Sequence, residues 1–140
     1  MEILSISMNG EDLARLGRLQ KRLGFRSRSK MLRTAIMSLV EDYESLESLS
    51  GSIESVFVLS YGESDKNRVS DLLHGFKDAI KTELHQHNQG TCVDVLNIHT
   101  TAGRTRELFG ALKRNGHVYS VTYSIVNGSG NRNHKKNRKA

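Results

Sequence analysis

The sequence predicts an α+β chain made of two modules of different kinds. Three observations carry that expectation. Ile3-Leu4-Ser5-Ile6-Ser7-Met8 alternates with the two-residue period of a strand. Two amphipathic helical stripes follow it directly. From Val56 onward the period returns to two, then switches repeatedly between strand and helix.

In the opening strand, Leu4, Ile6 and Met8 share one face, while Ile3, Ser5 and Ser7 project from the other. One short strand cannot stand alone, because its edges are unpaired and one face is apolar. A strand and two helices, too small for a core of their own, therefore imply pairing with a second copy. Asn9 or Gly10 can cap the first helix, with Glu11 and Asp12 at its positive end. Leu13, Leu16, Leu19 and Leu23 form its stripe. Gly24 is placed as a left-handed stop, after Lys21 and Arg22, which complement the helix dipole. Ser27 or Ser29 starts the second helix, with Met31, Leu32, Ala35, Ile36, Leu39 and Val40 on its apolar side. Arg26, Arg28, Lys30 and Arg33 surround its first turn, where free backbone N–H groups make an anchor for phosphate.

These residues resemble the ribbon-helix-helix transcription factors, with Gly24-Phe25-Arg26-Ser27-Arg28-Ser29 standing where that family has a Gly-aromatic-x-x-Arg-Ser turn. The resemblance implies a homodimer whose two strands pair antiparallel and enter the major groove of double-stranded DNA. By position, Ile3, Ser5 and Ser7 would face base edges, and Arg28 and Ser29 would grip phosphate. Ile3 departs from the long polar residue common there and offers only apolar contact, as to a thymine methyl.

Glu41 to Ser52 is polar, acidic and serine-rich, and reads as a helix extension breaking into a linker near Gly51. Beyond it, Val56, Val58 and Ser60 alternate with Phe57, Leu59 and Tyr61 as a strand. Lys66 to about Lys81 reads as a helix carrying Val69, Leu72, Leu73, Phe76 and Ile80, and Glu83 to Gly90 as a loop. Cys92 to His99 is a strand, Gly103 to Arg114 a helix with Leu108, Phe109 and Leu112, and Val118 to Val126 a final strand after Asn115-Gly116. The order suggests helices packed on a small antiparallel sheet. The expected boundaries are 1–46 for the first module, 47–54 for a linker, 55–126 for the second module and 127–140 for a basic disordered tail.

Following a ribbon-helix-helix, this order resembles the nickel-responsive regulators. Phe57-Val58-Leu59-Ser60-Tyr61, Thr82-Glu83-Leu84 and Leu96-x-Ile98-His99 carry the likeness. It implies a ferredoxin-like, ACT-type βαββαβ domain that assembles a homotetramer and binds nickel between subunits through three histidines and one cysteine. The family's ligand positions fall here on Gln86, Asn97, His99 and Thr105, and only His99 keeps a ligand type. His85 and His87 flank Gln86, so a rearranged site for nickel or another transition metal would draw on His85, His87 and His99, with Cys92 as a less favoured thiolate. Strand parity sets Cys92, Asp94 and Leu96 against Val93, Val95, Asn97 and His99. The alternative is that both loop histidines are solvated, Cys92 is a core residue and His99 is vestigial.

The net charge of +6 suits an anionic partner. Much of it is local: Arg132, Lys135, Lys136, Arg138 and Lys139 load the tail, leaving a nearly balanced body. One cysteine rules out an internal disulfide and fits a reducing compartment, here the cytoplasm. No apolar run reaches the length of a membrane helix. No nucleophile, base and orienter stand out as an enzyme's; His85, His87 and Asp94 are the only candidates. The expected function is a sequence-specific DNA-binding regulator that acts by occupying an inverted repeat, with a C-terminal domain that assembles and senses. The alternatives are a regulator that binds DNA without metal, and an antitoxin-like interaction protein whose second half would wrap a toxin.

Overall fold

The computed structural model describes residues 2–130, with side chains as far as Gly128. The chain divides into two compact units between Asp42 and Tyr43.

In the first unit, residues 2–9 take no regular element within a single chain. Leu4, Ile6 and Met8 nevertheless line a shallow groove of about 360 Å³ with Leu13, Leu16, Arg28 and Leu32. Helix α1 (Gly10–Leu23) begins at Asn9, whose Oδ1 accepts the Asp12 N–H at 2.8 Å. It ends at Gly24, which adopts the left-handed φ of 71° and donates its N–H back to the last turn. Helix α2 (Arg28–Glu47) starts after Ser27, whose Oγ accepts the Lys30 N–H at 3.1 Å.

The second unit holds β1 (Leu49–Gly62), a 3₁₀ turn at Glu63–Asp65, α3 (Lys66–His74), β2 (Ile80–Asn88), β3 (Thr91–Thr101), α4 (Ala102–Arg114) and β4 (Val118–Gly130). The strands form one sheet in the order β2-β3-β1-β4, with every neighbouring pair antiparallel. This is the ferredoxin-like βαββαβ arrangement expected of an ACT-type domain.

Alternation along β1 builds the core. Ile53, Phe57, Leu59 and Tyr61 are buried, and Val56, Val58 and Ser60 lie on the opposite face. Leu96 and Ile98 on β3, Val69 and Leu73 on α3, and Leu108, Phe109 and Leu112 on α4 complete that core. Tyr123 of β4 stacks on Phe57 with ring centroids 5.6 Å apart and meets the edge of Phe109 at 5.4 Å. Near the start of the unit, Arg106 of α4 donates to the carbonyls of Leu46 and Leu49 at 3.1 and 3.2 Å. It thereby satisfies groups that the end of α2 leaves open.

Two local expectations are corrected. The helix expected to Lys81 ends at His74, because the chain tightens into three-residue turns in which the Gly75, Phe76 and Lys77 N–H groups bond the Leu72, Leu73 and His74 carbonyls. Arg104 fixes this turn by donating to the Gly75 carbonyl at 2.6 Å and to Asp78 at 3.1 Å, and by lying over the Phe76 ring. The loop expected over Glu83–Gly90 is mostly the edge strand β2, and only Gln89 and Gly90 turn. Of the segment expected as a linker, Glu47 closes α2 and β1 begins at Leu49. The expected basic tail starts inside β4, and its lysines and arginines lie outside the described residues.

Leu108 sits at the centre of the second unit's core. Leu108→Ala should cost about 2–5 kcal/mol of unfolding free energy by urea titration. A loss below about 1 kcal/mol would show that this core is not the unit's main support.

Candidate nucleic-acid interface and metal-ligand positions

Within a single chain residues 2–9 are all exposed, and alternate ones among them border the groove. Ile3 is 94% exposed and Ser5 and Ser7 are exposed beside it, while the alternating Leu4, Ile6 and Met8 line the apolar groove. A two-residue period thus leaves the three expected base readers free on one side. At the start of α2, Ser27 occupies the cap, so Arg28 and Ser29 are the first helical residues, where backbone N–H groups point out of the helix. Arg26, Arg28, Lys30 and Arg33 are all exposed around it. Positive dipole, free N–H groups and guanidinium charge coincide there, and together they suit a phosphate.

In the second unit, the sheet decides which candidate ligands can meet. His85 pairs with Asp94 across β2 and β3, His87 with Cys92, and Gln86 with Val93. His85, His87, Cys92 and Asp94 therefore point to the helix-covered side, and Gln86, Asn97 and His99 to the open side. Within one chain, strand parity sets His85 and His87 on the face opposite His99, the histidine expected from sequence to join them. Moving along a strand by one residue turns a side chain to the other face, so the shift a loop would have allowed is not open to β2. Cys92 is a buried free thiol, as parity required.

The family's four ligand positions are a poor fit to nickel. His99 offers an imidazole, with its Nε2 3.0 Å from Ser52 Oγ. Gln86 and Asn97 offer only carboxamides. Thr105 is buried at the first turn of α4 and donates its hydroxyl to the Thr101 carbonyl at 2.9 Å. Square-planar nickel prefers imidazole nitrogen and thiolate, and one such donor is present. Among the described residues no three His, Cys, Asp or Glu side chains are gathered as a ready-made ion site.

The sequence reading missed a polar cluster on the other face. Asp94, 1% exposed, receives the Tyr61 hydroxyl at 2.8 Å and faces His85 Nδ1 at 2.5 Å. Burial first, and then the Asp94 carboxylate, push the Tyr61 phenol far above its ordinary value. Next along, His87 Nε2 pairs with Glu63 at 3.1 Å. The sequence marks Asp94 by strand parity and as an enzyme candidate and Tyr61 as a strand residue, but gives Glu63 no role and does not join the three. The available signal was a carboxylate at an inward strand position between Cys92 and Leu96.

Comparison with known proteins agrees with this architecture. Residues 2–43 match the family model described as ribbon-helix-helix protein, copG family, and residues 60–126 match the one described as NikR C terminal nickel binding domain. The two matches together span most of the chain, in the domain order of a nickel-responsive regulator. Several proteins named "Putative nickel-responsive regulator" resemble it along nearly their whole length. That of Methanocella arvoryzae is 25% identical over 128 residues, covering 86% of this chain and 91% of that protein. That of Methanocaldococcus jannaschii is 27% identical over 131 residues, covering 90% and 92%. An uncharacterized protein from Thermotoga maritima shares the fold at a TM-score of 0.51 and 17% identity, over 55% of this chain and all of that one. The family comprises DNA-binding transcriptional regulators rather than enzymes, and its ribbon-helix-helix domain implies DNA and a dimer partner. Nickel is the ion its C-terminal domain is described as binding, although the donors at those positions here are mostly replaced. Among the described residues no helix is long and apolar enough to cross a membrane.

The Tyr61–Asp94 bond carries its own prediction. Tyr61→Phe removes the donor from a buried carboxylate and should lower stability by about 1–3 kcal/mol. Because the folded-state phenol titrates above its unfolded value of 10.0, this contribution is present below that pH and is lost as pH rises past it. Urea titrations of both proteins at neutral and alkaline pH check this. Equal stability at neutral pH would show that the bond contributes nothing.

Proposed function

We propose that this regulator binds an inverted-repeat operator by laying a paired ribbon, one strand from each of two chains, into the major groove. Ile3, Ser5 and Ser7 face the base edges, and Arg28 and Ser29 hold the flanking phosphates. The observation that carries this reading is the partition of the first residues: apolar Leu4, Ile6 and Met8 on the groove side, Ile3, Ser5 and Ser7 outward. A second chain supplies the edge that a lone ribbon lacks. Serine hydroxyls can donate to or accept from several bases, so specificity comes from their placement along the groove, while the cationic start of α2 supplies affinity.

The second unit assembles dimers into a tetramer through its open sheet face, where Val58 and Leu84 are exposed beside Val56, Val93 and Val95. Occupancy of the operator then blocks or modulates transcription in the cytoplasm. A ligand alters that occupancy only if it binds one spacing of the two dimers better than another. The antitoxin-like alternative is the weaker reading, since the second half is a four-stranded sheet rather than a wrapping segment.

Arg28→Ala should weaken binding about equally on all sequences and shallow the slope of log affinity against log salt by about 1. Ser5→Ala should instead redistribute preference among operator variants, by about 1–3 kcal/mol at one position. Gel shifts across a salt series and an operator library test both, and unaltered binding by both variants would refute the ribbon-in-groove reading. Leu84→Glu should convert the tetramer to dimers in light scattering. A tetramer that persists would place the assembly surface elsewhere.

A further inference from the structure

We propose, resting on a paired ribbon that lies in the major groove, that Ile3 makes the regulator select a 5-methylpyrimidine at one position of each operator half-site. The recognised group is the C5-methyl, carried by thymine or by 5-methylcytosine, and the aliphatic side chain of Ile3 packs on it.

Exposure and parity place Ile3 for such a contact. At 94% it is the most exposed large apolar side chain among the described residues. Leu4, Ile6 and Met8 border the apolar groove beside Leu13, Leu16 and Leu32, and their exposure falls from 77% to 54% to 40% along the segment. Ile3, Ser5 and Ser7 do not border it. Strands pair edge to edge, so each keeps its two faces. A second chain that covers Leu4, Ile6 and Met8 therefore leaves Ile3 on the opposite side. A single exposed isoleucine is ordinary on a protein surface. This one stands at the end of a row whose other members are short hydroxyls.

The rest of the row limits what can be read. Bidentate recognition of guanine needs Arg or Lys, and that of adenine needs Asn or Gln. Ile3, Ser5 and Ser7 include none of these. A serine hydroxyl both donates and accepts, so it serves several bases and separates them weakly. Ile3 discriminates by contrast instead. Against the N7 and O6 of guanine, or the amino group of adenine or cytosine, its side chain strips water and returns no hydrogen bond, which is a cost. Against a C5-methyl it removes apolar surface from water on both partners. That methyl is the apolar group the major groove presents, and among the four unmodified bases thymine alone carries it. Methylation of cytosine at C5 puts the same group in the same place. The contact involves no charge, so it changes affinity without changing the number of phosphates neutralised.

The test uses the full chain and a duplex that it selects from a randomised library. Each thymine is then replaced in turn by uracil, the same base without its methyl. At one position per half-site uracil should weaken binding about fourfold, the worth of one buried methyl-sized group, and about sixteenfold when both half-sites are changed. The slope of log affinity against log salt should stay as it was. Cytosine at that position should bind more weakly than thymine, and 5-methylcytosine should recover about fourfold over cytosine. Ile3→Ala, at an exposed position away from the apolar groove, should bind the thymine and uracil duplexes alike. Uracil sensitivity that persists in Ile3→Ala would overturn the proposal, because another side chain or the shape of the DNA would then be its source. No gain for 5-methylcytosine over cytosine would overturn it as well. So would a parent that selects a sequence yet tolerates uracil at every position, and loss of that binding in Arg28→Ala would then leave the ribbon reading standing. A parent that selects no sequence overturns the ribbon reading and this assignment with it.

Discussion

The side chains of a strand leave it alternately on opposite sides, and in this protein that geometry governs everything the second unit can bind. Strand β3 pairs along its whole length with β1, and its buried and less buried residues alternate without a break from Thr91 to Ile98. Because one face is sealed by α3 and α4, register cannot slip by a single residue without exposing Leu96 and Ile98. The histidines are sorted by the same rule. His99 is committed to the open face, and His85 and His87 to the covered one, so no rotamer change within a chain brings them together. A ligand set can only be rebuilt on this sheet by taking residues of one parity, which is why the loss of imidazole at Gln86 and Asn97 is not repaired by its neighbours.

The first unit obeys a different constraint, that of an apolar surface too large for its own chain to cover. Leu13, Leu19 and Leu23 of α1 and Ile36, Met37 and Leu39 of α2 are exposed within a single chain, as are Leu4 and Ile6. Each buried aliphatic side chain is worth about 1.5–3 kcal/mol, so covering several of them against a second copy is the main support such a module can draw on. In a module supported in this way folding and dimerisation would be one event, with a stability that depends on chain concentration. The outward placement of Ser5 and Ser7 is a by-product of this burial, since the alternation that turns Leu4, Ile6 and Met8 inward turns them out.

What could be read from the sequence follows how local each cause is. Asn9 and Gly24 bracket α1 as expected, because a cap and a left-handed stop act over three or four residues. The βαββαβ order was legible where a strand is half buried, as in β1 and β3. It was illegible in β2, whose central residues are polar and exposed and whose strand character comes from backbone pairing with β3. The early end of α3 depends on Arg104, 29 residues beyond Gly75. The Tyr61–Asp94–His85 cluster joins three strands, and no periodicity reports such a contact. Asp94 alone could have flagged it, as a charge at an inward position that burial would penalise heavily without a partner.

Position along β3 also separates the candidate ligands. His99 bonds Ser52 near the start of β1, and Thr105 precedes Arg106, whose guanidinium holds the Leu46 and Leu49 carbonyls where α2 gives way to β1. Of the family's positions, His99 and Thr105 lie towards the start of β1, whereas Gln86 pairs with Val93 at the far end of β3. His85 lies across from Asp94, seven residues before Thr101, and at about 3.3 Å per residue this is about 23 Å from the joint. Coupling to DNA is a difference in affinity between two arrangements of the regulator.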